Sequence, residues 1–247
     1  MKAIICGANG AMGKLLDQNL GDQTVGRVSI DGENNVPKTF AQLGTVDADI
    51  IIDFSHHSAI ADVITYAKEN NLSIVVGTTG HTEEERAMIF AAAKELPVFY
   101  SGNMSLGIAV LCKLAKEAAA FFPDADIEIV ETHHTRKVAA PSGTAKMLFN
   151  AIHEVRPNAV ANCGRSGEGK RTRDEIGIHA LRLGNVVGIH EVHIHTGSQS
   201  LTLKHEAHTR AMLADGAVVA ARFMEGKAPG LYTMPELLED QACPVCI

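Results

Sequence analysis

Lys2 to Cys6 is a short apolar run that breaks at once into Gly7-Ala8-Asn9-Gly10-Ala11-Met12-Gly13, after which Lys14 to Leu20 continues with helical spacing. A strand that feeds a glycine turn and then a helix leaves few choices. Glycines at these positions permit a tight turn, close approach of backbone to a pyrophosphate, and close packing of helix on sheet. The spacing is G-x-x-G-x-x-G where the commoner pattern is G-x-G-x-x-G, so the turn by itself does not decide. A second apolar run, Val25 to Ile30, ends at Asp31, eighteen residues past Gly13, where an acid accepts hydrogen bonds from adenine ribose hydroxyls. Strand, glycine turn, helix, strand and acid in this order point to a Rossmann-type dinucleotide-binding domain. Asp31 suits NADH, and Lys14 at the helix start can meet the extra phosphate of NADPH. No Arg follows Asp31, so the choice between NADH and NADPH stays open.

A nucleoside-triphosphate loop, G-x-x-x-x-G-K-[ST], does not fit here: counting back from Gly13-Lys14 lands on Ala8, and Leu15 follows. Gly164 to Lys170 does match G-x-x-x-x-G-K. Arg171 stands where Ser or Thr must hold Mg²⁺, however, and no strand-to-helix frame surrounds it, so it reads as a loop.

The alternation continues with strands at Ala48 to Phe54, Ser73 to Val76 and Val98 to Tyr100, and helices from about Ser58 to Asn70 and Thr82 to Glu95. Continuous apolar strands between helices predict a parallel sheet covered on both faces. Ligands of such sheets gather beyond the C-terminal strand ends, so Gly7 to Gly13, Asp53-Phe54-Ser55, Gly77-Thr78-Thr79-Gly80 and Ser101-Gly102-Asn103-Met104 are expected to line one crevice. After an amphipathic helix from Ser105 to Phe122 the texture changes. Strand-like runs at Ile127 to Glu131, Glu175 to Arg182, Val186 to His195 and Ser200 to Ala207 predict an α+β domain with a mostly antiparallel open sheet. Ala211 to Met224 and Pro235 to Leu238 return to helix and are expected to pack on the first domain. The α/β chain is thus expected to divide into a dinucleotide-binding domain, 1–103 with 214–247, and a substrate and oligomerisation domain, 104–213. Hinges are expected near Gly102 to Met104 and near Leu213 to Ala217.

Composition excludes some partners. A net charge of -7 lacks the surplus of Lys and Arg that nucleic-acid phosphates demand. The longest apolar stretch, Leu106 to Phe122, is interrupted by Lys113, Lys116 and Glu117, so no membrane span is expected, and without a secretory signal the chain is expected to be cytoplasmic. Five cysteines, an odd number scattered through ordinary segments, read as reduced thiols. Cys243 and Cys246 resemble half of a zinc or redox pair without its other half and read as a tail. His190, His193 and His195 form H-x-x-H-x-H, with His193 and His195 on one strand face, but apart from Glu191 no further ligand is near, and no metal is expected.

The densest chemistry is Glu131-Thr-His-His-Thr-Arg-Lys-Val-Ala-Ala-Pro-Ser-Gly-Thr-Ala145. Pro141-Ser142-Gly143-Thr144 has the composition of a helix start, with Ser to cap free amides and Gly to admit a ligand. His133, His134, Arg136 and Lys137 then sit on a loop facing a helix N-terminus, which favours a carboxylate or phosphate.

Together with Gly7 to Gly13, Asp53-Phe54-Ser55, Gly77 to Gly80 and Glu175-Ile-Gly-Ile-His-Ala-Leu-Arg182, this stretch resembles the 4-hydroxy-tetrahydrodipicolinate reductase (dihydrodipicolinate reductase) family of bacterial lysine biosynthesis, over nearly the whole chain. The resemblance implies reduction of a cyclic dicarboxylate by NADH or NADPH. It implies His133 as proton donor and Lys137 as the cation that binds substrate and supports proton delivery. It further implies His134 as a carboxylate contact, with Ser142, Gly143 and Thr144 at the other carboxylate. Gly7, Asn9, Gly10, Ala11 and Met12 would hold the pyrophosphate, Asp31 the ribose, and Gly77, Thr78, Thr79, Ser101, Gly102, Asn103 and Met104 the nicotinamide end. The second domain's sheet would build a homotetramer. The chain departs from the family with Ala139 where Asp is usual and Leu183 where Gly is usual, which bears on support of the loop and on the sheet edge. Two other readings are a different two-domain dehydrogenase, acting on an amino acid or aldehyde, and a nicotinamide-sensing regulator without turnover. The second has no use for the His133 to Lys137 loop.

Overall fold

The computed structural model describes residues 1–241, and the Cys243 and Cys246 pair lies outside the described residues. Among them are eleven strands: β1 (Ala3–Cys6), β2 (Thr24–Val28), β3 (Ile50–Asp53), β4 (Ser73–Val76), β5 (Pro97–Tyr100), β6 (Asp126–His133), β7 (Val160–Asn162), β8 (Glu175–Arg182), β9 (Gly188–His195), β10 (Ser200–Ala207) and β11 (Gly230–Tyr232). The eight α-helices are α1 (Ala11–Leu20), α2 (Phe40–Leu43), α3 (Ile60–Asn70), α4 (Glu83–Ala92), α5 (Leu106–Phe121), α6 (Gly143–His153), α7 (Ala211–Phe223) and α8 (Met234–Gln241). The chain forms two compact units, Met1–Ser105 with Ala211–Ile247, and Leu106–Arg210.

The first unit is a six-stranded, all-parallel sheet in the order β11-β5-β4-β3-β1-β2. β1 and β3 read AIIC and IIID and are buried at every position, because each has helices on both sides. Ile4, Ile51, Ile74 and Val98 join α3 and α4 in one core through Val63, Ala67, Ile89 and Ala92. α1 packs on α7, and α7 on β3 and β4. α4 starts with a capping box in which Thr82 and Glu85 satisfy each other's amides. The strand order reverses between β1 and β3, so the loops after these two strands flank the switch point of a doubly wound sheet.

The second unit is a five-stranded sheet in the order β10-β9-β6-β8-β7. It corrects one expectation: the sheet is mixed. β6 pairs parallel with β8 and β8 with β7, while β9 pairs antiparallel with both β6 and β10. The reason is α6, which lies between β6 and β8 in sequence and serves as the crossover that parallel neighbours require. Alternate residues Ile127, Ile129, Ile176, Ile178, Val192 and Ile194 point to one face and meet Ile108, Leu111, Ala115, Leu148 and Ile152 of α5 and α6. The same face, continued past its apolar part, carries Glu131, His133, Arg182 and His190. β7, β11 and α2, each of four residues or fewer, were not legible in the sequence.

Candidate active site

At the C-terminal edge of the parallel sheet four loops come together. Gly7 takes φ 85°, which a side chain rarely adopts, and a Cβ there would collide with the Phe54 carbonyl. A Cβ on Gly13 would strike the Gly7 carbonyl and Ala8, so α1 can approach β1 this closely only with glycine. α1 begins behind Gly10, with no side chain accepting from its first amides, which leaves its positive end to an anion. Asn9 and Met12 are half-buried, and Ala11 and Lys14 exposed. The Phe54 amide donates to the Cys6 carbonyl at 3.0 Å, the Gly77 amide to Asp53 at 2.9 Å, and the Ser101 amide to Val76 at 3.2 Å, so the loops follow one another along the edge. The Phe54 ring occupies the space a Cβ on Gly77 would need. Thr78 is buried and accepts from the Ser55 amide at 2.9 Å, while Thr79 and Gly102 are exposed. Ser101 donates to the Asn103 carbonyl at 2.8 Å, and Met104 is buried.

Asp31 lies beyond β2 with one oxygen already engaged. Asn9 donates to its Oδ1 at 2.5 Å and the Glu33 amide at 3.1 Å, and these donors, with the charge of Lys14, hold the carboxyl below its ordinary value. The stem of Lys38 fills the space that a side chain at Gly32 would take, bringing a second cation to this corner.

The second cluster is built on β6. Glu131 and His133 are two residues apart and therefore share a face; Glu131 is fully buried and His133 is 6% exposed. Glu131 Oε2 lies 2.5 Å from His133 Nδ1. Its Oε1 accepts from the Ser142 amide at 3.0 Å. Arg182, which pairs with His133 in the β6–β8 register, donates to both oxygens at 2.9 Å. The same guanidinium donates to the Ala139 carbonyl at 2.6 Å and, at 3.4 Å, to that of Lys137. Ser142 caps α6, accepting from the Ala145 amide at 3.2 Å, and its hydroxyl lies 3.2 Å from His190 Nε2. His190 packs edge-on to His133, with ring centroids 5.0 Å apart. The β8–β9 connection passes over the end of β6: the Leu183 amide donates to the His133 carbonyl at 2.8 Å and the Thr135 amide to Gly184 at 3.1 Å. Gly188, next along, leaves a tight fit for a Cβ, with His133 Nε2 3.1 Å from where it would be, so the ring would have to give by a few tenths of an ångström.

His133, His134, Lys137, Ser142, Gly143 and Thr144 are thus gathered on one loop and helix start. Gly143 is exposed with open space around it, so a ligand can reach the first amides of α6. Lys137 is half-buried. Burial pushes the His133 imidazole below its ordinary value in spite of the Glu131 carboxylate, and burial with nearby Arg136, Arg210, Lys137 and Arg182 does the same to His134. Burial opposes the Glu131 charge, yet the hydrogen bonds from Arg182, His133 and the Ser142 amide outweigh it and hold its carboxyl below the usual range. Burial lowers His190 to about 3, which keeps it neutral at physiological pH. Glu131 and Arg182 were given no role from sequence, and His190 was weighed there only as a metal ligand. Alternation from His133 could have found Glu131, but Arg182 and His190 are brought in by register, 51 and 59 residues along the chain.

His193 and His195 lie on the opposite strand face from His190 and hydrogen-bond to Thr202 and Ser200. No cluster of metal-ligating side chains occurs among the described residues. The loop from Gly164 to Lys170 is tied down by Arg165 within it and Arg171 just after it, both paired with Glu128.

Residues 1–104 match the family described as dihydrodipicolinate reductase, N-terminus, and residues 107–238 its C-terminus. The chain belongs to the dihydrodipicolinate reductase family. The resemblance read from the sequence is borne out, and so is the α/β class with a Rossmann-like sheet and a second domain built on its own sheet. A 4-hydroxy-tetrahydrodipicolinate reductase of Clostridium novyi is 39% identical, covering 97% of this chain and 99% of the relative. That of Caldanaerobacter subterraneus subsp. tengcongensis is 41% identical, over 97% and 98% of the two. The dipicolinate-bound dihydrodipicolinate reductase from Paenisporosarcina sp. TG-14 superposes with a TM-score of 0.77 at 25% identity, covering 94% of this chain and 97% of that one. No helix among the described residues of this reductase-family chain is long and apolar enough to cross a membrane.

Proposed function

We propose that the chain reduces 4-hydroxy-tetrahydrodipicolinate to tetrahydrodipicolinate at the expense of NADH or NADPH, in lysine and diaminopimelate biosynthesis. The observation that carries this reading is the buried Glu131–His133 pair beside the open N-terminus of α6, in a chain that matches the reductase family over residues 1–104 and 107–238. Replacing a ring hydroxyl by hydrogen consumes one hydride and one proton and releases one water. The reduced nicotinamide supplies the hydride.

The glycine turn fits a dinucleotide because Gly7 and Gly13 leave room for nothing but backbone, and the α1 amides have no capping side chain. Gly7, Asn9, Gly10, Ala11 and Met12 hold the pyrophosphate, and Asp31, its Oδ1 fixed by Asn9, turns its other oxygen to the ribose. Lys14 is the cation for a 2′-phosphate. Gly77 to Thr79 and Ser101 to Met104 hold the nicotinamide end.

In the second unit Gly143 and Thr144 take one substrate carboxylate on the α6 amides, and His134 contacts the other. Lys137 binds the dianion and stabilises charge as it develops on the ring nitrogen. His133 gives the proton from Nε2, since Nδ1 is held by Glu131. A lowered pKa leaves His133 neutral at pH 7 in the free protein, and a bound dianion favours its protonated form, so the acid is charged as substrate arrives. The sheet face away from α5 and α6, which carries Val130, Leu181 and Ile189, joins copies into a homotetramer, and the protein works in the cytoplasm.

The test is a coupled assay that supplies the condensation product of pyruvate and aspartate semialdehyde and follows loss of NADH and of NADPH absorbance. Turnover with either cofactor is expected. Cofactor binding without oxidation would favour a sensor, and turnover only with an amino acid or aldehyde a different dehydrogenase.

A further inference from the structure

We propose that Glu131 is the positioning residue of this site: one buried carboxylate, locked by Arg182, fixes the His133 tautomer and the anion-binding turn at Ser142 together. The proposal rests on the reading of His133 as the acid and adds what makes it one.

Its two oxygens do different work. Oε2 lies 2.5 Å from His133 Nδ1, and a carboxylate held below its usual range carries no proton, so Nδ1 must be the donor. A neutral His133 is then the Nδ1–H tautomer, with a lone pair on Nε2 facing the gap beside Gly188. Oε1 accepts from the Ser142 amide at 3.0 Å, which sets the entry angle of α6 and hence the direction of the Gly143 and Thr144 amides. Arg182 completes the device, with both terminal nitrogens 2.9 Å from the carboxylate and further donors on the Ala139 and Lys137 carbonyls. Acid, anion cradle and the backbone of the lysine loop are thereby tied to one ion pair. Glu131 has no solvent exposure, so no water can replace a lost partner without rearrangement. An aspartate is one methylene too short to hold His133 and Ser142 at once. A glutamine would present an amide N–H to the donors of Arg182 or Ser142.

The charged and titratable groups facing His133 are Glu131 on its own strand, Arg182 from β8, His190 from β9 and Lys137 from the following loop. Only Glu131 favours the imidazolium. Removing its charge must lower the His133 pKa further, so the limb of kcat/KM that falls as His133 loses its proton moves to lower pH.

Two measurements decide. In ¹⁵N-histidine-labelled protein, with His133 assigned by loss of its signals in His133→Gln, nuclear magnetic resonance is expected to find the Nδ1–H tautomer above pH 7. The Nε2–H tautomer overturns the proposal, and this holds even if no variant folds. In steady-state kinetics Glu131→Gln is expected to lower kcat by on the order of 10²-fold or more, as when an imidazole loses the group that fixes its tautomer. It is also expected to move the pH limb downward and to weaken dipicolinate binding, with Glu131→Asp losing less. A fall in kcat with the limb in place marks a merely structural role and overturns the proposal, as does unchanged turnover. If the unaltered chain does not reduce the cyclic dicarboxylate, the reading of function fails, while the tautomer still decides the role of Glu131.

Discussion

In the proposed mechanism Lys137 and His133 divide the work of a proton donor between a half-buried ammonium and a buried imidazole, and their surroundings explain the division. The ammonium is placed on a loop whose carbonyls at 137 and 139 are pinned by Arg182. Lys137→Ala is expected to lower kcat by roughly 10²–10³-fold, the scale for one preorganised charge-stabilising contact, with an unchanged melting temperature. Steady-state kinetics on purified protein checks this, and undiminished turnover removes Lys137 from the mechanism. His190 lends itself to a test of linkage. Its folded pKa of about 3 lies below the ordinary imidazole value of 6.5, so between these pH values the unfolded chain binds the extra proton and stability falls as pH falls. In His190→Asn this contribution, roughly 3–5 kcal/mol across the window, is expected to disappear, so urea midpoints of wild type and variant converge toward pH 3. Parallel midpoints from pH 7 to pH 4 would refute it. Sequence shows the loop but not its anchor. Glu131 sits in an apolar strand like any alternating residue, and its meaning comes from Arg182, delivered by a strand register that composition does not encode.

Among elements, α6 carries the most function per residue. Its N-terminus is the proposed anion site, its cap is Ser142, and as the crossover from β6 it forces β8 to run parallel. Ser142→Ala removes the acceptor of the Ala145 amide and is expected to cost about 1–2 kcal/mol in urea unfolding, while Ser142→Gly costs a few tenths. Both also strand the His190 Nε2, so a loss shared equally by the two variants would shift the explanation from the cap to that contact. The elements were largely legible because β1, β3 and β4 are runs of buried β-branched residues and the helices between them are amphipathic. Direction was less so. Alternation identifies a half-buried strand whichever way it runs, and the mostly antiparallel reading rested on the later strands, which no helix separates, while β8 runs parallel to β6 across α6.

At the scale of the whole molecule, the two sheets differ in what covers them. The parallel sheet has helices on both faces, whereas α5 and α6 cover only one face of the mixed sheet. The other face shows Val130, Leu181 and Ile189 among Glu128, His179, Glu191 and Lys204, an apolar centre with a charged surround that suits a second copy of the same sheet. Leu181 is 40% exposed in the single chain. If that face joins four copies, light scattering after size exclusion finds a mass four times the 26.3 kDa of one chain. Leu181→Asp then places an unpaired charge in a desolvated contact, at a cost of several kcal/mol per copy, and smaller species follow. Because Leu181 points away from the face that holds Glu131, His133 and Arg182, the dissociated variant should keep the His133 tautomer. A wild-type protein that runs at the mass of one chain at micromolar concentration would dismiss the assembly and leave the active-site reading untouched.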